Sequence, residues 1–274
     1  MELLLYIYED SLSKDIAHIN SVHKSIPEKD IIIIGNSLTR EGVDKAIVNR
    51  HVSKLNLKGI EIGYLYPDDT SIIEWYYIVK SLINKKESSP KSVIINFASN
   101  HLATENFEFE EIQRISYWIP FEQLYSVALD EQFTFSEIFQ LYMSKWFRLY
   151  RYKERLGKRV LDILPYYRAT MRTLNKTIQK YDSNQQSHSR YKHLNQLVEL
   201  STAKNIEIIF CAMPLPTKYE LSDKVLSIIS ESKLCRLYDL QNMGEYSKSD
   251  FKDSYHLNKF GAAKFTIQYI NIFN

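Results

Sequence analysis

Three short segments of this chain carry side chains that together could perform acyl transfer. The first is Gly35-Asn36-Ser37. A serine at a glycine turn, directly after an apolar run, stands where a strand hands over to a helix, and the first helical amides are free to meet a developing oxyanion. The second, near the other end, is Asp253-Ser254-Tyr255-His256. An Asp three residues before a His can hold one ring nitrogen and stabilise the imidazolium, leaving the other nitrogen as a general base for a serine hydroxyl. The third is Asn96-Phe97-Ala98-Ser99-Asn100-His101, in which Asn100 can donate its side-chain amide to the same oxyanion. Each segment also has a plainer reading: Ser37 as a helix cap, Asp253 as a cap beside a surface His, and Asn100 as a turn residue.

The elements that must position these groups are legible as apolar patterns. Ile31–Ile34, Ser92–Phe97 and Ile206–Ala212 are short, continuous apolar runs ending at Gly35, near Asn100 and before Pro214. Such runs predict strands covered on both faces, hence a parallel sheet. Leu55–Ile62 and Leu234–Leu240 are weaker strand candidates. Helical periodicity covers Thr70–Lys85, Lys192–Lys204, Asp223–Ser232 and Phe260–Phe273, so strand and helix alternate at both ends, as in a doubly wound α/β domain. From about Glu108 to Tyr181 the pattern is almost wholly helical, with a capping box at Thr134-Phe135-Ser136-Glu137, helix boundaries at Pro120 and Pro165, and a polar loop from Asp182 to Arg190. The expectation is one α/β domain over 1–274 with a helical insertion at about 105–190.

Composition narrows the class. Of 274 residues 45% are apolar and 20 are Tyr, which excludes a disordered chain. A net charge of +2 argues against a protein built to bind nucleic acid, and two cysteines exclude a disulfide scaffold, with Cys211 a buried small hydrophobe. No run approaches a membrane span, and Met1–Tyr8 lacks a basic leader, so the expectation is a cytoplasmic chain as it stands, or an extracytoplasmic one if it is a piece of something longer. There are only 7 Gly, so each should sit where the backbone needs it. His18, His23, His51, His188 and His193 show no metal-ligand spacing, no glycine-rich phosphate loop is present, and neither a metal nor a nucleotide cofactor is expected. Asp68-Asp69 reads as a helix cap. Residues 144–176 hold ten Lys/Arg against two acids, interleaved with aromatics. That stretch is a solvated helix face or a contact for an anionic polymer, a membrane surface or a protein partner.

In their order and placement the three segments resemble the SGNH/GDSL hydrolase superfamily. Asp253 to Ala262 is similar to the Asp-x-x-His-Leu-Asn-x-x-Gly-Ala stretch of its polysaccharide-associated branches, relatives of the alginate O-acetylation proteins and of the teichoic acid D-alanine transfer protein. Gly35 to Asp44, Ala212-Met213-Pro214-Leu215-Pro216 and Asp250-Phe251-Lys252-Asp253 share that resemblance. It covers roughly 28–104 and 192–274 and skips the insertion. It implies a three-layer α/β/α sandwich of flavodoxin-like type with a mostly parallel sheet. It also implies Ser37 as nucleophile, His256 as base, Asp253 as its orienter, and Asn100 with the Ser37 amide as oxyanion donors. The implied activity is that of a serine esterase or O-acyltransferase on a small acyl ester or an acylated, in particular O-acetylated, carbohydrate. The alternative is an inactive scaffold that uses the basic insertion. Three positions depart from the family pattern: Asn36 and His101 stand where Asp is common, and the second oxyanion glycine has no counterpart. Gly63 falls too early and Pro67 has no N–H, which leaves a backbone amide near Tyr66.

Overall fold

The computed structural model of the protein describes residues 29–55, 59–83, 90–103, 109–147 and 190–273. In chain order its elements are β1 (Ile31–Ile34), α1 (Ser37–Gly42), α2 (Lys45–Lys54), β2 (Ile62–Leu65), α3 (Ile72–Ile83), β3 (Ser92–Phe97), α4 (Phe109–Trp118), α5 (Leu124–Asp130), α6 (Phe135–Trp146), α7 (Lys192–Lys204), β4 (Glu207–Ala212), α8 (Asp223–Ser230), β5 (Cys235–Asp239) and α9 (Lys259–Tyr269). Two compact units divide the chain: residues 1–104 with 191–274, and residues 105–190.

The first unit is built on a five-stranded, all-parallel sheet of order β2-β1-β3-β4-β5, flanked by helices. This is the flavodoxin-like order, in which the connections after β1 and β3 diverge and leave a crevice at the carboxyl ends of those two strands. The apolar runs fill both faces. Ile33, Ile94, Ile209 and Cys211 pack with Val48 of α2 and with Phe265 and Tyr269 of α9. Their neighbours Ile32, Ile34, Val93, Ile95 and Phe210 are equally buried and point to the other face, where α7 packs against both α3 and α8. Cys211 and Cys235 are both free and buried. His193 is buried beside the rings of Tyr76 and Tyr77, a packing role.

One strand differs from the expectation. Of the strand expected over Leu55–Ile62, only Ile62 is in a strand among the described residues: Leu55 caps the end of α2, and the edge strand runs from Ile62 to Leu65. An edge strand with alternating burial needs no continuous apolar run, so its pattern is weak. Gly63 lies inside β2 opposite Ile32, short of the sheet edge.

The second unit holds α4, α5 and α6. Ile112, Ile115, Leu124, Val127 and Leu141 form its interior. Pro120 separates α4 from the 3-10 turn Phe121–Gln123. The Thr134 hydroxyl accepts the Glu137 amide at 3.4 Å, and the Glu137 carboxylate accepts the Thr134 amide at 2.6 Å, completing the capping box. Pro165, most of the basic stretch and most of the loop read at Asp182–Arg190 lie outside the described residues. Among the described residues no helix is long and apolar enough to cross a membrane.

Candidate active site

The crevice at the carboxyl edge of β1 collects the segments singled out above. β1 ends at Ile34, paired with Leu65 on one side and Ile95 on the other, so the loops after β2, β1 and β3 lie side by side. Gly35 turns the chain into α1. A Cβ there would overlap the Thr39 side chain one turn on, so only glycine permits this tight entry. Asn36 is the helix cap, its Oδ1 accepting the Leu38 amide at 3.1 Å. Ser37 is therefore the first helical residue, partly exposed, with its hydroxyl at the mouth of the crevice.

His256 reaches Ser37 from 219 residues away, its Nε2 lying 2.9 Å from Ser37 Oγ. Two features place it. An antiparallel bridge between Phe251 and Leu257, both buried, closes the loop that carries Asp253 and His256. Directly after that loop α9 begins, and its Thr266 hydroxyl donates to the Gly42 carbonyl at 3.2 Å and accepts the Asp44 amide at 2.9 Å. The helix that follows the histidine is thereby tied to the end of the helix that starts with the serine.

Asp253 holds the histidine in a local turn. Its Oδ1 accepts the amides of Tyr255 at 2.8 Å and His256 at 2.7 Å, and Oδ2 lies 2.9 Å from His256 Nδ1. Partial desolvation pushes the Asp253 carboxyl upward, but the His256 and Tyr255 amides and the imidazole outweigh it and hold it at about 2. The carboxylate is thus ionised at neutral pH and favours the tautomer with the proton on Nδ1, which turns the Nε2 lone pair towards Ser37 Oγ.

Asn100 sits at the end of β3 in a turn where Ser99 takes a left-handed conformation (φ 52°). It is exposed, its carbonyl accepts the Ala103 amide at 2.8 Å, and among the described residues its side-chain amide has no partner. The loop after β2 brings buried Tyr66 and Pro67 to the same edge.

Several positioning contacts left no sequence signal. Arg40 of α1 ion-pairs with Asp68 at 2.6 Å, and Glu41 with Lys252 at 3.0 Å, bracing the serine helix against both flanking loops. Asp68, read as part of a helix cap, thus serves that brace. Asp69 takes a left-handed turn, and the first turn of α3 is secured by Glu74 accepting the Ser71 amide at 3.0 Å. Further along the edge, Lys218, Tyr219, Glu220, Asp239, Gln241 and Asn242 help line a cleft of about 670 Å³ after β4 and β5. Tyr219 donates to the Met213 carbonyl at 2.8 Å. Among the described residues no group of three or more His, Cys, Asp or Glu could hold a metal ion.

No protein-family model and no curated protein matches the chain. Among solved structures it is similar to LAE5, an alpha/beta hydrolase enzyme from the metagenome of Lake Arreo, Spain, at 12% identity over 88% of this chain and 93% of that one, with a TM-score of 0.40. It is likewise similar to Axe2, an acetylxylan esterase from Geobacillus stearothermophilus, at 12% identity over 89% of this chain and 93% of that one, with a TM-score of 0.44.

Proposed function

We propose that this chain is a serine esterase or O-acyltransferase of SGNH type, a single α/β domain that carries residues 105–190 as an insertion. The observation that carries this reading is the continuous hydrogen-bonded line Ser37–His256–Asp253, with 2.9 Å at each junction, at the mouth of a sheet-edge crevice. His256 takes the Ser37 proton as Oγ attacks an acyl carbonyl, and Asp253 stabilises the resulting imidazolium. The Ser37 amide, which has no partner inside its own helix, and the Asn100 side chain meet the oxyanion. His256 returns the proton to the departing alkoxide, and the acyl group on Ser37 passes to water or to a second hydroxyl by the same steps reversed. The acyl carrier is a carbohydrate, most simply an O-acetylated one. The polar cleft further along the sheet edge supports this, since amide, carboxylate, ammonium and phenol groups around an open volume suit a hydroxyl-rich ligand.

The test is initial-rate hydrolysis of p-nitrophenyl acetate by the wild type and by Ser37→Ala. Turnover that disappears with Ser37→Ala supports the reading, and equal turnover by both proteins overturns it. A second reading is an inactive scaffold that meets a polysaccharide, membrane surface or protein partner through residues 105–190. One observation favours it: Phe135, Phe139 and Trp146 of α6 are all more than half exposed, Phe135 by 86%.

A further inference from the structure

His101 stands beside the proposed oxyanion donor Asn100 and is joined to all three loops at the mouth of the crevice. Its ring folds back over its own turn, so that Nδ1 accepts the Ala98 amide at 3.3 Å. The same Nδ1 faces the side-chain nitrogen of Asn36 at 3.4 Å. Its carbonyl accepts the Ile72 amide at 2.9 Å, which fastens the segment after β2. Asn36 in turn donates to the Thr70 carbonyl at 3.1 Å and caps Leu38. Thr70 donates to the Pro67 carbonyl at 2.8 Å and accepts the Trp75 indole N–H at 3.0 Å. One connected polar cluster therefore spans the turn before Ser37, the loop after β2 and the turn that carries Asn100.

The chemistry of that cluster selects one form of the imidazole. Two N–H donors converge on Nδ1, so Nδ1 must present its lone pair and the ring proton must sit on Nε2. This is the opposite tautomer to that of His256, whose Nδ1 faces a carboxylate. An acidic residue at position 101 could also accept the two donors, but it would place a charge under the oxyanion loops; a neutral imidazole accepts them without one.

We infer that His101, as the Nε2–H tautomer, is a positioning residue that clasps Asn36 and the Ala98–Asn100 turn together and so sets the spacing of the oxyanion donors around Ser37. This inference rests on the esterase reading for its catalytic consequence, but the clasp itself does not depend on activity. Two variants separate the ring from its acceptor atom. His101→Phe keeps the ring volume and removes the acceptor, whereas His101→Asn places a carbonyl oxygen where Nδ1 was.

The experiment combines steady-state kinetics on p-nitrophenyl acetate with nitrogen-15 NMR of the imidazoles and of the Ser37, Ile72 and Asn100 amides. The expected results are an unprotonated Nδ1 at His101, a loss of kcat of roughly 10- to 100-fold in His101→Phe with KM little changed, and recovery of most of that loss in His101→Asn. The three amide resonances should shift in His101→Phe and return towards wild type in His101→Asn. If His101→Phe does not fold, Asn36→Asp is the substitute. It replaces the facing donor with an acceptor and should move the His101 proton onto Nδ1. A protonated Nδ1 in the wild type overturns the inference, as do amide resonances indifferent to His101→Phe or, in the substitute, a His101 proton indifferent to Asn36→Asp. If the wild type turns over no ester while the NMR results are as expected, the esterase reading falls and the clasp stands.

Discussion

Replacing Gly261 by alanine tests how closely the histidine loop is packed against the helix that follows it. Gly261 lies in the first turn of α9, where an unconstrained Gly→Ala change stabilises a helix by roughly 0.8–1 kcal/mol. Here the added Cβ would overlap the Asp250 carbonyl oxygen, with Leu257 Cδ2 2.8 Å away and the Asp250 carbonyl carbon 3.1 Å away. Real Cβ atoms essentially never come closer than 3.0 Å to another group. The carbonyl is not free to turn aside, because it accepts the Asn258 amide at 2.8 Å, while the Asp250 side chain is held by the Ser247 amide at 2.9 Å and by Lys264 at 3.0 Å. Relief requires the backbone of Asp250 to move by about 1 Å, a degree of overpacking that costs typically 1–3 kcal/mol. That outweighs the propensity gain, so the net sign is destabilising. Asp250 to Leu257 is also the segment that presents His256 to Ser37, and a misplacement of about 1 Å in a catalytic group costs on the order of 100-fold in rate. Urea unfolding and kcat/KM on p-nitrophenyl acetate measure the two effects together. A Gly261→Ala protein that is as stable as wild type or more so, with unchanged kcat/KM, refutes the packing argument.

Asp253→Asn should lower kcat on the order of 10,000-fold while leaving the fold intact, because the amide cannot hold the Nδ1–H tautomer or stabilise the imidazolium; kinetics with circular dichroism check this. Asn100→Ala should cost roughly 100- to 1,000-fold in kcat with little change in KM. Desolvation holds the His101 imidazole at about 4, while in the unfolded chain it titrates near 6.5. On acidification the unfolded chain takes up that proton first. His101 therefore favours the folded state above about pH 6.5, and this advantage drains between about 6.5 and 4, by at most about 3 kcal/mol. Urea titrations of the wild type and His101→Asn at pH 7 and 4.5 isolate the contribution of His101 as the difference between the two proteins. Gln241→Leu should raise KM for an acetylated oligosaccharide several-fold and leave p-nitrophenyl acetate unaffected; equal effects on both would remove the cleft from carbohydrate binding.

Much of the sheet is legible in the sequence because its central strands are covered on both faces. Ile32–Ile34 and Ser92–Phe97 are buried throughout, so no solvent-facing position interrupts the apolar run, and their ends mark the sheet edge directly. β2 is hidden because it is an edge strand with alternate residues partly exposed. The Asp253–His256 pair is legible for a different reason: the carboxylate, the two amides and the imidazole it holds all lie within four residues, so spacing alone implies the contact. The same holds for the Thr134–Glu137 capping box. The clasp at His101 is invisible because its partners are brought together only by strand order. Asn36, Thr70 and His101 come from three separate loops; Asn36 and His101 stand out in the sequence only as departures from the pattern their segments resemble, and nothing local pairs them with each other or with Thr70. The scarcity of glycine follows the same division. Gly35 and Gly261 are required where backbone and side chain close on each other, while the edge loop after β2 makes its turn with Asp69 in a left-handed conformation instead of glycine.

The most direct test of the central claim is the reaction of the folded protein with a fluorophosphonate, followed by peptide mass spectrometry. The expected product is a single covalent phosphonyl adduct on Ser37, abolished in Ser37→Ala and strongly slowed in His256→Ala. A folded protein that acquires no adduct at Ser37, or labels there equally well without His256, contradicts that claim.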